Sequence, residues 1–189
     1  VDATPEEETN KRYYKNEDFP FDVIVKWQTS KGSCRARNEA INLCKGDYII
    51  FADDDIRIQF NFVENHIRLL QTYNAAACNG LDIRAENVYQ NLSNLENKLH
   101  KIENERWKVG LSAMFSNANS CVRNDVVQEL IGNDVNFDGG YGEDSDFGFR
   151  ILKKGYVLLH NPFSPNLHLK PATGGYRWWG LEAKKKGKN

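Results

Sequence analysis

Three carboxylates stand side by side at Asp53, Asp54 and Asp55, directly after the apolar run Tyr48-Ile49-Ile50-Phe51. Adjacent carboxylates repel one another and are relieved by a cation or by solvent. Oxygen ligands of this hardness suit Mg²⁺ or Mn²⁺. A solvated loop would carry the same triplet, so its setting decides. A short continuous apolar run reads as a strand buried on both faces, and open α/β sheets bind ligands beyond the carboxyl ends of such strands. The triplet is therefore read as a divalent-metal site. A second constellation is Gly139-Gly140-Tyr141-Gly142-Glu143-Asp144-Ser145-Asp146. The glycines allow an unusual, mobile backbone path, and the carboxylates fall where a helix begins. A helix N-terminus stabilises negative charge, which would make these acids simple capping. A carboxylate behind a flexible loop equally suits a general base in a site that closes over substrate. The third is His168, in Asn166-Leu167-His168-Leu169-Lys170, ahead of Gly174-Gly175 and Arg177. A lone histidine is usually structural, but imidazole would complete the coordination of a borderline ion such as Mn²⁺.

These groups need a framework, and the pattern supplies one. Phe21 to Trp27 is β-branched enough for a strand, and Ser33 can cap a helix running to Cys44, with Gly46 just past its end. The strand Tyr48 to Phe51 follows. A helix is expected from about Phe60 to Tyr73 and a strand around Ala75 to Leu81. Residues 86–107 carry Val88, Leu92, Leu95, Leu99 and Ile102 in steps of four and three, the seam of an amphipathic helix. That helix either lies on its own domain or serves self-association or an acceptor. A strand around Ser116 to Val122 comes next. Two helices follow, Asp125 to Ile131 closed by Gly132 and Asp144 to Lys154 closed by Gly155. A last strand, Tyr156 to Leu159, is stopped by Pro162. Strands alternating with helices predict an α/β layer fold with an open, mostly parallel sheet flanked by helices.

The 189 residues suffice for a single domain, 1–189, with a sizeable core. A formal net charge of -1, from 25 basic and 26 acidic residues, gives no general attraction to nucleic acid. No apolar run approaches the roughly 18 residues of a membrane span, and the start shows no signal-peptide pattern. The basic tail, 181–189, with Lys184, Lys185, Lys186 and Lys188, reads as a solvated terminus or as a peripheral contact with anionic lipid. Cys34, Cys44, Cys78 and Cys121 form no C-x-x-C pair. They read as small buried hydrophobes in a reducing compartment, so a cytoplasmic location is expected, with any membrane contact peripheral. The sequon Asn91-Leu-Ser93 falls in the expected 86–107 helix and carries little weight.

The order of these motifs resembles the family-2 type GT-A glycosyltransferases: Gly32, Ala36, Arg37 and Asn38 as G-x-x-x-A-R-N, the D-x-D strand end, G-E-D-x-D, then a late histidine. The G-G-Y-G-E-D-S-D stretch and the late histidine are also similar to the β-1,4-galactosyltransferases. The resemblance covers about residues 20 to 177. It implies that Arg37 contacts the nucleotide and that Asp2 holds the base. It puts Asp53 on the ribose or diphosphate side, with Asp54 beside it among the donor-binding residues. It makes Asp55 and His168 metal ligands and Asp144 the catalytic base, with Glu143 and Asp146 positioning acceptor or loop. Trp178, like Trp179, is placed to stack on a sugar face or to pack. The family opens with a strand, a P-x-Y-N-like turn and a helix that bind the nucleotide. This sequence begins after them, so the fold is expected to lack its first strand and helix. The activity implied is inverting transfer of a sugar, most simply a hexose, from a nucleotide-diphosphate sugar to an acceptor hydroxyl. The cofactor is Mn²⁺ or Mg²⁺, the donor a UDP-sugar first of all, and the acceptor a saccharide or lipid-linked molecule, in polysaccharide or glycoconjugate synthesis. A sugar-1-phosphate nucleotidyltransferase and a non-catalytic nucleotide-sugar or metal-binding module are the alternatives.

Overall fold

The computed structural model describes residues 19–26, 28, 32–84, 108–139 and 141–169. Four helices are described: α1 (Ser33–Leu43), α2 (Phe62–Tyr73), α3 (Asn124–Glu129) and α4 (Glu143–Lys153). Six strands accompany them: β1 (Tyr48–Ala52), β2 (Ile56–Ile58), β3 (Ala77–Arg84), β4 (Gly110–Leu111), β5 (Asn119–Arg123) and β6 (Leu158–His168). They form one sheet in the order β1-β5-β3-β6-β2, with β4 beside the start of β6. Helix α2 is amphipathic, burying Phe62, His66, Leu69 and Leu70 along one stripe. It ends where Asn74 turns left-handed (φ 47) and the Ala75 N–H reaches back to the Leu70 carbonyl.

Alternate residues of the strands feed two cores. On one face, Ile49, Phe51, Val122 and Leu158 pack with Ile41, Val126, Phe147 and Ile151. There Phe51, Phe115 and Phe147 meet edge to face, with centroids 5.0 to 6.2 Å apart. On the other face, Cys78, Cys121 and Leu159 pack with Leu69 and Leu70. Helices thus cover both faces, as expected for the α/β class.

The strand directions differ from expectation. Strands β1, β3 and β6 run one way, but β5 lies antiparallel between β1 and β3, and β2 and β4 pair antiparallel with β6. Only β3 and β6 are parallel neighbours among the described strands. Apolar content marks a strand as buried without giving its direction, and hence "mostly parallel" does not hold for the pairings. The last strand is also longer than expected, because Pro162 does not stop it. The β3–β6 ladder runs from Gly80↔Asn161 to Asp82↔Asn166, so Pro162 and Pro165 sit in a bulge that asks no ladder N–H of them.

Phe21 to Lys26 forms no strand. Phe21, Ile24 and Val25 are exposed and no described strand pairs with them; Trp27 lies outside the described residues. Ser33 is the first helical residue rather than the cap. Gly32 takes the cap position, and the Cys34 N–H is satisfied from afar by the Asp138 carboxylate at 2.7 Å. Cys34, Cys78 and Cys121 are buried, but Cys44, beyond the end of α1, is exposed. The 86–107 helix and the 181–189 tail lie outside the described residues. No described helix is long and apolar enough to cross a membrane.

Candidate metal and catalytic site

Strand pairing assembles the acidic turn. β1 carries the chain to Ala52, paired with Asn119, and the Asp53 N–H donates to the Ala118 carbonyl at 3.4 Å. The chain turns at Asp54 and Asp55 and enters β2, where Ile56 pairs with His168. The Leu169 N–H then donates to the Asp55 carbonyl at 2.7 Å. The residue after the triplet is thereby locked opposite the histidine, 112 positions on by their numbers.

His168 Nε2 consequently lies 3.4 Å from Asp53 Oδ2 and 3.9 Å from Asp55 Oδ1. One ligand atom from each of Asp53, Asp55 and His168 falls within 4.8 Å of the others. Neighbouring and opposite donors around one ion with bonds of about 2.1 Å stand roughly 3 and 4.2 Å apart. Two carboxylates and an imidazole at these separations therefore fit a single Mn²⁺ or Mg²⁺ and leave it further coordination positions. Asp53 belongs to this group together with Asp55, whereas Asp54 is exposed in the turn.

A second group gathers at the start of α4. Gly142, at φ 109, adopts a left-handed path before the helix. Glu143, the first helical residue, accepts from Arg37 Nη1 on α1 at 3.1 Å, and both side chains are largely buried. Asp144 is next to it. Burial, and then the Glu143 charge, raise its carboxyl above the ordinary value, with Arg37 acting weakly the other way. Its side chain meets the Ser145 N–H at 3.2 Å, but no side chain caps this helix. The loop ahead is anchored too, since Asp138 holds the start of α1 through Cys34 and pairs with Arg35 at 3.0 Å. Asp146 binds Arg150 at 2.7 Å, and Arg150 also donates to the Leu130 and Gly132 carbonyls. The Asp146 carboxylate is thus tied into the packing of α4 against the end of α3. Asp2 and Trp178 lie outside the described residues.

Asparagines link the two groups. Asn38, next to Arg37, exchanges two bonds with the Asn133 backbone, at 2.7 and 2.8 Å. Asn117 donates to the Asn133 side chain at 3.3 Å, one residue before the Ala118 that accepts from Asp53. Asn38 was visible in the A-R-N motif, but sequence reasoning missed Asn117, Asn133 and Asp82 on β3, whose Oδ1 lies 2.5 Å from His168 Nδ1. Asn117 and Asp82 gave one signal, a polar residue in or beside a stretch that otherwise read as strand, and Asn133 gave none.

The candidate triad thus stands at the strand ends of an open-edged α/β layer. Residues 2–131 match the model of glycosyl transferase family 2, and the chain belongs to that family. The match includes Arg37 and Asp53 to Asp55 and stops before Asp144 and His168. Among curated proteins none matches the sequence significantly. Among solved structures, GalNAc-T7 with UDP, GalNAc and Mn²⁺ is similar at 16% identity and a TM-score of 0.57, over 73% of this chain and 30% of that one. PcManGT, a mannosyltransferase from Pyrobaculum calidifontis in complex with GDP-Man and Mn²⁺, is similar at 18% identity and a TM-score of 0.58, over 82% of this chain and 41% of that one. The chain thus spans less than half the length of either structure.

Proposed function

We propose that this protein is an inverting glycosyltransferase that moves a sugar, a hexose, from a UDP-sugar to an acceptor hydroxyl on a saccharide or lipid-linked molecule, in polysaccharide or glycoconjugate synthesis. The convergence of Asp53, Asp55 and His168 carries the reading, supported by family membership and by neighbours solved with nucleotides and Mn²⁺. These three side chains would hold a divalent cation. When bound, the cation offsets the negative charge that the diphosphate gathers as it leaves.

The chain's own groups do the rest. The acceptor oxygen forms a bond to the anomeric carbon while the bond from that carbon to the diphosphate breaks, and one in-line displacement inverts the centre. Asp144 takes the hydroxyl proton. A carboxyl raised by burial is a stronger base than an exposed one and serves that transfer better near neutral pH. Arg37 holds Glu143, and so the start of α4, in place beneath it.

The test is calorimetric titration of UDP-sugars with and without Mn²⁺ into wild type and Asp55→Ala. Mn²⁺-dependent donor binding is expected in wild type and lost in the variant. Unchanged Mn²⁺-dependent affinity in Asp55→Ala refutes the metal assignment.

A further inference from the structure

We propose that Asp82 is the positioning residue that sets His168 as a metal ligand, and that a buried chain of hydrogen bonds from His66 holds Asp82 for this task. The inference rests on the reading of Asp53, Asp55 and His168 as a cation site.

Imidazole ligates a metal through a ring nitrogen free of its proton, and the partner of the other nitrogen decides which one that is. His168 Nδ1 lies 2.5 Å from Asp82 Oδ1. A carboxylate oxygen placed there as acceptor favours the tautomer that carries the proton on Nδ1. Nε2 then presents its lone pair toward Asp53 and Asp55. The sheet enforces this arrangement. β6 lies between β2 and β3, so one neighbour brings the acidic turn to His168 and the other brings Asp82.

Behind Asp82 a buried series of polar side chains leads to its carboxylate. His66 Nε2 faces Asn119 Oδ1 at 2.8 Å. Asn119 Nδ2 donates to Asn166 Oδ1 at 2.6 Å, and Asn166 Nδ2 donates to Asp82 Oδ1 at 2.9 Å. His66, Asn119 and Asn166 are all 0% exposed. Aligned hydrogen bonds polarise one another, and this series ends on the Asp82 oxygen that also meets His168. Room for the chain is reserved at Gly80, where an added Cβ would stand 2.2 Å from Asn119 Oδ1 and 2.4 Å from the Ser164 carbonyl oxygen. Burying three amide and imidazole side chains is costly unless every polar atom is used. Here the use leads to the candidate ligand.

The test uses the full chain with Mn²⁺ and UDP as the probe. Nitrogen chemical shifts of the His168 ring in metal-free wild type should report the Nδ1–H tautomer, and in Asp82→Asn they should move toward Nε2–H. Free Mn²⁺ measured by electron paramagnetic resonance should show affinity about 10–100-fold weaker in Asp82→Asn, the usual cost of losing such a partner. The thermal midpoints of the two metal-free proteins show whether the near-isosteric change has left the fold intact. An Nε2–H tautomer in wild type overturns the proposal, and it does so without any variant. Mn²⁺ affinity within twofold of wild type in Asp82→Asn, alongside loss in Asp55→Ala, overturns the role of Asp82 and leaves the cation site standing. Absence of Mn²⁺ binding in wild type overturns the cation site and this inference with it.

Discussion

Acid should destabilise this fold through His66. The ring is buried in α2, where burial lowers its pKa from the ordinary 6.5 to about 4, against a smaller opposing pull from its bond to Asn119. The geometry explains why a second proton is unwelcome. Nε2 lies 2.8 Å from Asn119 Oδ1, while Nδ1 faces the amide donor Asn161 Nδ2 at 3.3 Å and Cys78 Sγ at 3.2 Å. A proton on Nδ1 would forfeit the bond from Asn161 and place a charge in the core. Below about pH 6.5 the unfolded chain takes up this proton, whereas the folded chain does so only near pH 4. The unfolded state therefore binds more protons across that window, and stability falls as the pH falls through it. At 1.36 kcal/mol per pKa unit, the full loss is about 3 kcal/mol, a large share of the 5–15 kcal/mol typical of a whole domain. Above pH 6.5 this contribution is complete, and below pH 4 His66 adds no further loss.

Urea unfolding at pH 7, 6, 5 and 4.5 measures the effect, with His66→Gln as the reference that cannot titrate. The wild-type curve should descend with pH more steeply than that of the variant. Nuclear magnetic resonance titration of the ring should find His66 neutral down to about pH 5 in the folded protein. Titration of His66 near 6.5, or equal pH dependence in the two proteins, would refute the reasoning.

Gly80→Ala should destabilise the protein by at least about 2 kcal/mol, from overpacking joined to the loss of buried hydrogen bonds, because its methyl would occupy the Asn119 carboxamide position; a thermal midpoint within a degree of wild type would count against the close approach. Asp144→Asn should lower turnover about 10²–10⁴-fold with little change in donor affinity, whereas near wild-type turnover removes Asp144 from the role of base. Because burial and Glu143 raise the Asp144 carboxyl, the base form is lost as pH falls through that raised value. The acid limb of kcat/KM should therefore lie above the ordinary carboxylate range and vanish in Asp144→Asn.

Local signals were legible and long-range ones were not. The run Tyr48 to Phe51 announced β1 because both of its faces are covered, and α2 showed its stripe because one face alone is buried. The start of α4 was marked by its glycines. The cap of α1 was not legible, since Asp138 supplies it from beyond α3. β6 was cut short in the reading because Pro162 looks like a stop unless the bulge against β3 is known. The same limit applies to the site. Asp53, Asp55 and His168 were visible by residue type, yet grouping Asp53 with Asp55 and leaving Asp54 in the turn depends on how β2 pairs with β6. Asp82, Asn119 and Asn166 are poor strand formers by residue type, and their value lies in partners from other strands and from α2.

The two halves of the site hang on different supports, and this bears on how it can work. The acidic turn and His168 are fixed by the strand ladders on either side of the turn. Asp144 is carried by the start of α4, which the Arg37–Glu143 pair ties to α1 while Asp138 ties down the approach to the glycine loop. A shift in the glycine loop would move the proposed base without disturbing the ladders that hold the triad. Damage to the Asp82 chain would do the reverse. Donor-metal affinity and the rate of proton transfer should therefore respond to separate sets of substitutions. Asn38, Asn133 and Asn117 form the span through which the halves keep their spacing.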